Sequence, residues 1–160
     1  MKHFELPFLK KVDVENITEE QGYLPIDFQN REIVLMWFAE EEIDEQYFLN
    51  ATKILGDLNA FNEENGQFLR REFNNKEDQT VLEYLEFHLE ELPEEWTEII
   101  EEGTTTPEKI QKLLAALKLQ TIAFHDDVIV ADYVLNKEIS DQVLAISINL
   151  NGEKNIAWES

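Results

Sequence analysis

Between Phe124 and Val134 the chain reads FHDDVIVADYV, which brings His125, Asp126, Asp127, Asp132 and Tyr133 into eleven residues. Imidazole and carboxylate groups ligate metals and move protons. His125, Asp126, Asp127 and Tyr133 are therefore the candidates for a small-ligand or acid/base site. The same residues also suit a hairpin. A two-residue loop at Asp126 and Asp127 pairs His125 with Val128, Phe124 with Ile129 and Ile122 with Ala131, and aspartate tolerates the left-handed backbone of a tight turn. In that register Asp132 lies opposite Thr121, roughly 13 Å along the strand from the level of His125. That separation is too large for a shared ion, so the stretch reads as a turn, with no metal site and no catalytic residue expected.

Other chemical signals are sparse. His3, His88 and His125 are far apart, and HExxH, GxSxG, GxGxxG and GxxxxGK[ST] are all missing. Only Ser140, Ser147 and Ser160 could supply a serine nucleophile, and there is no cysteine for a thiolate, a disulfide or a cysteine-ligated metal. Asp57-Leu-Asn59 opens like a calcium loop, but Asn62 stands where that loop needs glycine. No cofactor is expected.

The most distinctive feature is acidic. From Glu77 to Glu108 there are twelve acids and no Lys or Arg. Glu86, Glu90, Glu94, Glu98 and Glu102 step by four, and Glu83 lies three residues before the first of them. On one continuous helix they would form a stripe, whose like charges each cost roughly 0.2–0.5 kcal/mol. Such a stripe does not hold a helix together. It serves either as a solubilising face or as a docking face for a basic protein, since a one-signed surface speeds encounter with its opposite. Pro93 interrupts it.

These residues have to be positioned by strands at both ends and helices between. Tyr23 to Phe28 and Ile33 to Phe38 flank a polar turn and read as a hairpin. A loop at Asn30 and Arg31 sets Phe28 opposite Ile33, and is preferred because the alternative puts Asp27 opposite Glu32. Ile43, Tyr47, Phe48, Ala51, Ile54, Leu55 and Leu58 recur at helical spacing. A second helix capped at Asn62 follows, then one carrying Val81 to Leu92. A short helix with Trp96, Ile99 and Ile100 is expected after Pro93, and a last one at Thr106-Pro107-Glu108, with Thr106 as N-cap. Four strands close the chain, spanning Thr121 to His125, Val128 to Leu135, Gln142 to Leu150 and Lys154 to Glu159. A three-residue loop, Leu150-Asn151-Gly152, sets Ile146 opposite Ile156 and Leu144 opposite Trp158. The fold class is α+β: an N-terminal β-hairpin, central helices and a C-terminal antiparallel β-meander, joined in one sheet with helices packed on one face. Residues 1–160 read as a single domain.

The order Asp132-Tyr133, Ser140-Asp141, Val143-Leu144, Asn151-Gly152-Glu153, Ile156 and Trp158-Glu159-Ser160 resembles a bacterial family catalogued as domain of unknown function two thousand and four. The likeness covers about the last third of the chain and rests on turn and strand features. It implies a fold and a bacterial, cytoplasmic protein of no assigned activity, and no functional residue is transferred by it.

Composition narrows the function further. An apolar content of 43%, with ten Phe and three Trp, is enough for a real core, and the net charge is −22. A protein so acidic, with scattered cations, is repelled by nucleic-acid phosphates and by anionic membranes. The longest apolar run, Ile33 to Ala39, is well short of the roughly 20 residues that span a bilayer, and the N-terminus lacks the apolar core of a signal peptide. A soluble, cytoplasmic protein is expected. Its leading functional reading is a binding or regulatory module that engages a basic protein through Glu83, Glu86, Glu90, Glu94, Glu98 and Glu102. The alternative is an enzyme or small-ligand protein with a site between sheet and helices that uses His125, Asp126, Asp127 and Tyr133. Association of copies through an exposed sheet edge is a third reading, and the oligomeric state stays open.

Overall fold

Strands occupy both ends of the chain and helices its middle. In the computed structural model, which describes residues 1–160, a small hairpin of β1 (His3–Leu6) and β2 (Lys10–Asp13) comes first. One helical turn follows, α1 (Glu19–Gly22). Thr18 and Gln21 form a reciprocal capping box there. The Gln21 amide also donates to the carbonyls of Leu9 and Lys11, at 2.9 and 2.8 Å, and so ties α1 to the hairpin. These three elements lay outside the sequence reading, because strands of four residues are too short for alternation to stand out. Phe4 gives the hairpin its purpose, packing its ring 5.6 Å from Trp37 and 5.7 Å from Phe48.

The main sheet has six strands in the order β3 (Leu24–Phe28), β4 (Arg31–Trp37), β5 (Lys118–Phe124), β6 (Ile129–Val134), β7 (Val143–Ile148) and β8 (Lys154–Glu159). Both strand groups thus share one sheet. Their junction, β4 to β5, is parallel, whereas every other neighbouring pair is antiparallel. A parallel return needs a long crossover. Here the crossover holds α2 (Glu45–Gly56), α3 (Leu58–Phe73), α4 (Thr80–Glu91) and α5 (Thr106–Ala116), which pack on one face of the sheet. On the other face Val34, Ala123 and Ala145 are buried only among their neighbours, outside the main core.

The two C-terminal registers agree with the sequence reading. Phe124 faces Ile129, Ile122 faces Ala131 and Thr121 faces Asp132. Leu144 faces Trp158 and Ile146 faces Ile156, with Gly152 at φ 80 in the bulged turn. The N-terminal hairpin differs. Leu24 pairs with Leu35, Ile26 with Ile33, and Asp27 with Glu32, so the loop is Gln29-Asn30. Both loop residues have positive φ, 51° and 63°, the mirror-image turn whose twist matches the flanking strands. The two registers bury the same faces, so burial does not choose between them. Turn twist decides, and the Asp27–Glu32 repulsion is weakened by exposure on the open face. Arg31 is also freed to donate from its guanidinium to the Leu119 carbonyl.

Three boundaries move as well. β5 begins three residues earlier than alternation indicates, because the register shifts between Leu119 and Thr121. This bulge at Gln120 lets Leu119 and Ile122 both face the core despite their odd spacing. The second long helix starts at Leu58 rather than near Asn62, with the Asp57 carboxylate accepting from the Ala60 amide at 3.0 Å. At α5 the N-cap is Thr105, one residue before the expected Thr106. The short helix expected with Trp96, Ile99 and Ile100 does not form. The segment runs through turns in which the amides of Ile99 and Ile100 both donate to the Trp96 carbonyl. Trp96, 1% exposed, anchors it with an indole bond of 2.9 Å to the His88 carbonyl. Burial of this one ring thus replaces helical continuity as the organising contact.

Candidate functional site

The residues of FHDDVIVADYV do not converge. The Asp126-Asp127 loop forms as a hairpin turn, closed by the His125 amide on the Val128 carbonyl at 3.0 Å. The His125 ring stacks on Phe38 at 5.2 Å. One carboxylate oxygen of Asp126 accepts from the Glu40 and Glu41 amides, at 2.8 and 2.9 Å, and so pins the segment leaving β4 to the β5–β6 turn. Asp127 is exposed. Tyr133 lies on the opposite, core-facing side, where its hydroxyl donates to Asn62 at 2.6 Å. Burial pushes its phenol well above the ordinary range. Asp132, on the open face, accepts from the Thr121 hydroxyl at 2.8 Å, and burial holds its carboxyl above the usual value. Nowhere do three His, Asp or Glu side chains gather as a metal would require.

A different pair does meet. His88, 0% exposed, sits with Nδ1 2.7 Å from the Tyr84 carbonyl and Nε2 2.8 Å from Ser140 Oγ. A carbonyl only accepts, so Nδ1 carries the proton and Nε2 accepts from the serine hydroxyl. Desolvation lowers the pKa and keeps the ring neutral. Base and hydroxyl are in the relation a serine nucleophile needs, with a backbone carbonyl orienting the ring. Neither residue lines any of the five principal clefts, however. The pair is a satisfied polar contact that fastens α4 to the loop before β7. No local pattern announces it, because the partners are 52 residues apart.

The acidic run is divided as Pro93 implies. Glu83, Glu86 and Glu90 lie on α4, and Glu94, Glu98 and Glu102 on the turns beyond it. All are exposed except Glu86, which is half-buried. Glu86 and Glu90 border a groove of about 380 Å³ between α4, the end of α3 and the start of α5. Its apolar lining is Phe73, Leu82, Leu89 and Ile110, with Thr106, Pro107 and Gln111 from the start of α5. Neither Lys109 nor Lys112, the nearest cations on α5, lines it. The floor arises because the α4 apolar stripe is wider than the α3 and α5 surfaces that cover it. Leu82 and Leu89 remain half-buried while Val81 and Leu85 are fully enclosed. Such a trough accepts an apolar side chain, and its rim places two carboxylates where a flanking ammonium or guanidinium would lie.

No helix is long and apolar enough to cross a membrane. Comparison of the chain with family models, with curated proteins and with solved structures returned no match.

Proposed function

We propose that this protein is a binding module that receives a basic amphipathic segment of a partner protein in the groove between α4 and α5. The observation that carries this reading is the apolar floor of Leu82, Leu89, Phe73 and Ile110 rimmed by Glu86 and Glu90. Six of its nine lining residues, Leu82 to Pro107, fall in the stretch from Glu77 to Glu108 that holds no Lys or Arg. The floor supplies burial for one or two apolar anchors at helical spacing. The rim and the outlying Glu83, Glu94, Glu98 and Glu102 supply attraction and orientation, which act mainly on the rate of encounter. Stripe and groove have separate tasks in this reading, so the break at Pro93 does not harm it. The resemblance of the last third of the chain to a family without assigned activity adds no residue role.

The test is fluorescence anisotropy with a labelled peptide that places leucines on one helical face and lysines on the other, with an all-lysine peptide as control. The amphipathic peptide should bind more tightly than the control. Glu86→Gln with Glu90→Gln should weaken it about two- to thirtyfold at low salt, since rim pairs contribute roughly 0.2–1 kcal/mol each. Equal affinity for the two peptides, or indifference to both salt and the double substitution, would sink the proposal.

A further inference from the structure

The second cleft of interest lies at the other end of the helical layer, between α2, α3 and the β7–β8 turn. It encloses about 300 Å³ and is walled by Ile54, Phe61 and Ile148, with Lys53 and Lys154 reaching in. Lys154 is half-buried and, like every Lys and Arg of the chain except Lys2, forms no ion pair. Its Nζ instead donates to the neutral Asn65 carbonyl oxygen at 2.7 Å and lies 6.0 Å from the centre of the Phe61 ring. An ammonium has three donors, so two remain for another acceptor. Burial lowers its pKa, with Glu64 partly offsetting this.

The surroundings hold that ammonium in place rather than letting it extend to water. Asn65 is 0% exposed, and its side-chain nitrogen has no hydrogen-bond partner. One turn earlier on α3, Asn62 is fixed by the Tyr133 hydroxyl. On the facing wall the Asn50 amide donates to the Leu150 carbonyl at 3.1 Å, which ties the β7–β8 turn to α2 and sets the width of the cleft. The nearby Asp57 carboxylate is already used as the α3 cap. Apolar walls, a positioned cation with free donors and a second lysine at the mouth are the elements of a site for an apolar monoanion.

We propose that this cleft binds a small organic carboxylate, its charge on Lys154 and its apolar body against Ile54, Phe61 and Ile148. A phosphate dianion fits less well. There is no arginine fork to grip it, and Glu64 and Asp57 at the rim oppose a second negative charge. The site is independent of the α4–α5 groove.

The experiment is an NMR titration of the full ¹⁵N-labelled chain with 3-phenylpropionate, with 3-phenylpropanol as the neutral analogue. The carboxylate should give saturable amide shifts at Ile148, Gly152 and Lys154, and the alcohol should bind at least tenfold more weakly. Lys154→Met should cost the carboxylate at least tenfold, and Lys53→Met less, with the rest of the spectrum reporting that each variant is folded. The comparison of acid and alcohol on the unaltered protein stands even if Lys154→Met does not fold. Absence of saturable shifts at the cleft, equal affinity for acid and alcohol, or undiminished binding in a folded Lys154→Met would each overturn the proposal.

Discussion

Buried polar side chains here work in pairs that join distant segments. Asn62 receives Tyr133, Asn65 receives Lys154 and His88 receives Ser140. Each pair lowers the cost of burying its members, and each becomes a liability when one partner is lost. Ser140→Ala leaves Nε2 of His88 a buried acceptor without a donor and should destabilise the protein by about 1–3 kcal/mol, read from chemical denaturation. His88 also sets a pH dependence. Its folded pKa is lowered by burial, so below about 6.5 the unfolded chain takes up a proton that the native ring refuses, and stability falls with pH through that window. Thermal melts between pH 7 and the depressed native value should show the loss, and His88→Gln should flatten it. Asp132 acts in the opposite sense at lower pH. Its folded pKa is raised, so the native state binds the proton first, and acidification from that value toward 3.8 restores stability. None of these pairings is written in a local pattern, although the histidine and serine involved are both visible as rare residues.

At the scale of elements, turn chemistry outweighs pair chemistry. The β3–β4 hairpin accepts Asp27 opposite Glu32 to place Gln29 and Asn30 in a mirror-image turn, although neither is glycine. A non-glycine residue in the left-handed region costs roughly 1–2 kcal/mol, against about 0.5–1 for the added chain freedom of glycine. Gln29→Gly should therefore raise stability by about 0.5–1 kcal/mol with the register unchanged, as cross-strand NOEs between Ile26 and Ile33 would check. The helices show the same economy. Asp57 ends α2 and caps α3 at once, which lengthens α3 by a turn and brings Asn62 and Asn65 into its interior. Asp57→Ala should cost about 1 kcal/mol in denaturation and fray that turn, visible as faster amide exchange at Ala60 and Phe61. Pro93, by contrast, acted as its chemistry demands, and the acidic residues beyond it follow turns anchored by Trp96.

At the scale of the molecule, a net charge of −22 on 160 residues repels itself. The two ion pairs of Met1 with Glu42 and of Lys2 with Glu15 both lie in the first 42 residues, so the acidic helical side has no internal relief. Screening at physiological ionic strength acts over about 8 Å. Adding sodium chloride should therefore raise the melting temperature, by roughly 2–4 °C for each kcal/mol of repulsion removed. An unchanged melting temperature across that salt range would mean that the acids are spaced widely enough to ignore one another. The sequence by itself determined the types of the four long helices and of the six strands of the main sheet, the charge layout and both C-terminal registers. In those hairpins a loop of two or three residues and a strict alternation leave one arrangement that keeps the apolar side chains on one face. Tertiary structure decided the parallel β4–β5 junction, the α4–α5 groove and the Lys154–Asn65 and His88–Ser140 contacts. Those contacts join residues 89 and 52 positions apart. Periodicity reports only which face of an element is apolar, whereas the crossover of four helices and the residual gaps in their packing decide which faces meet.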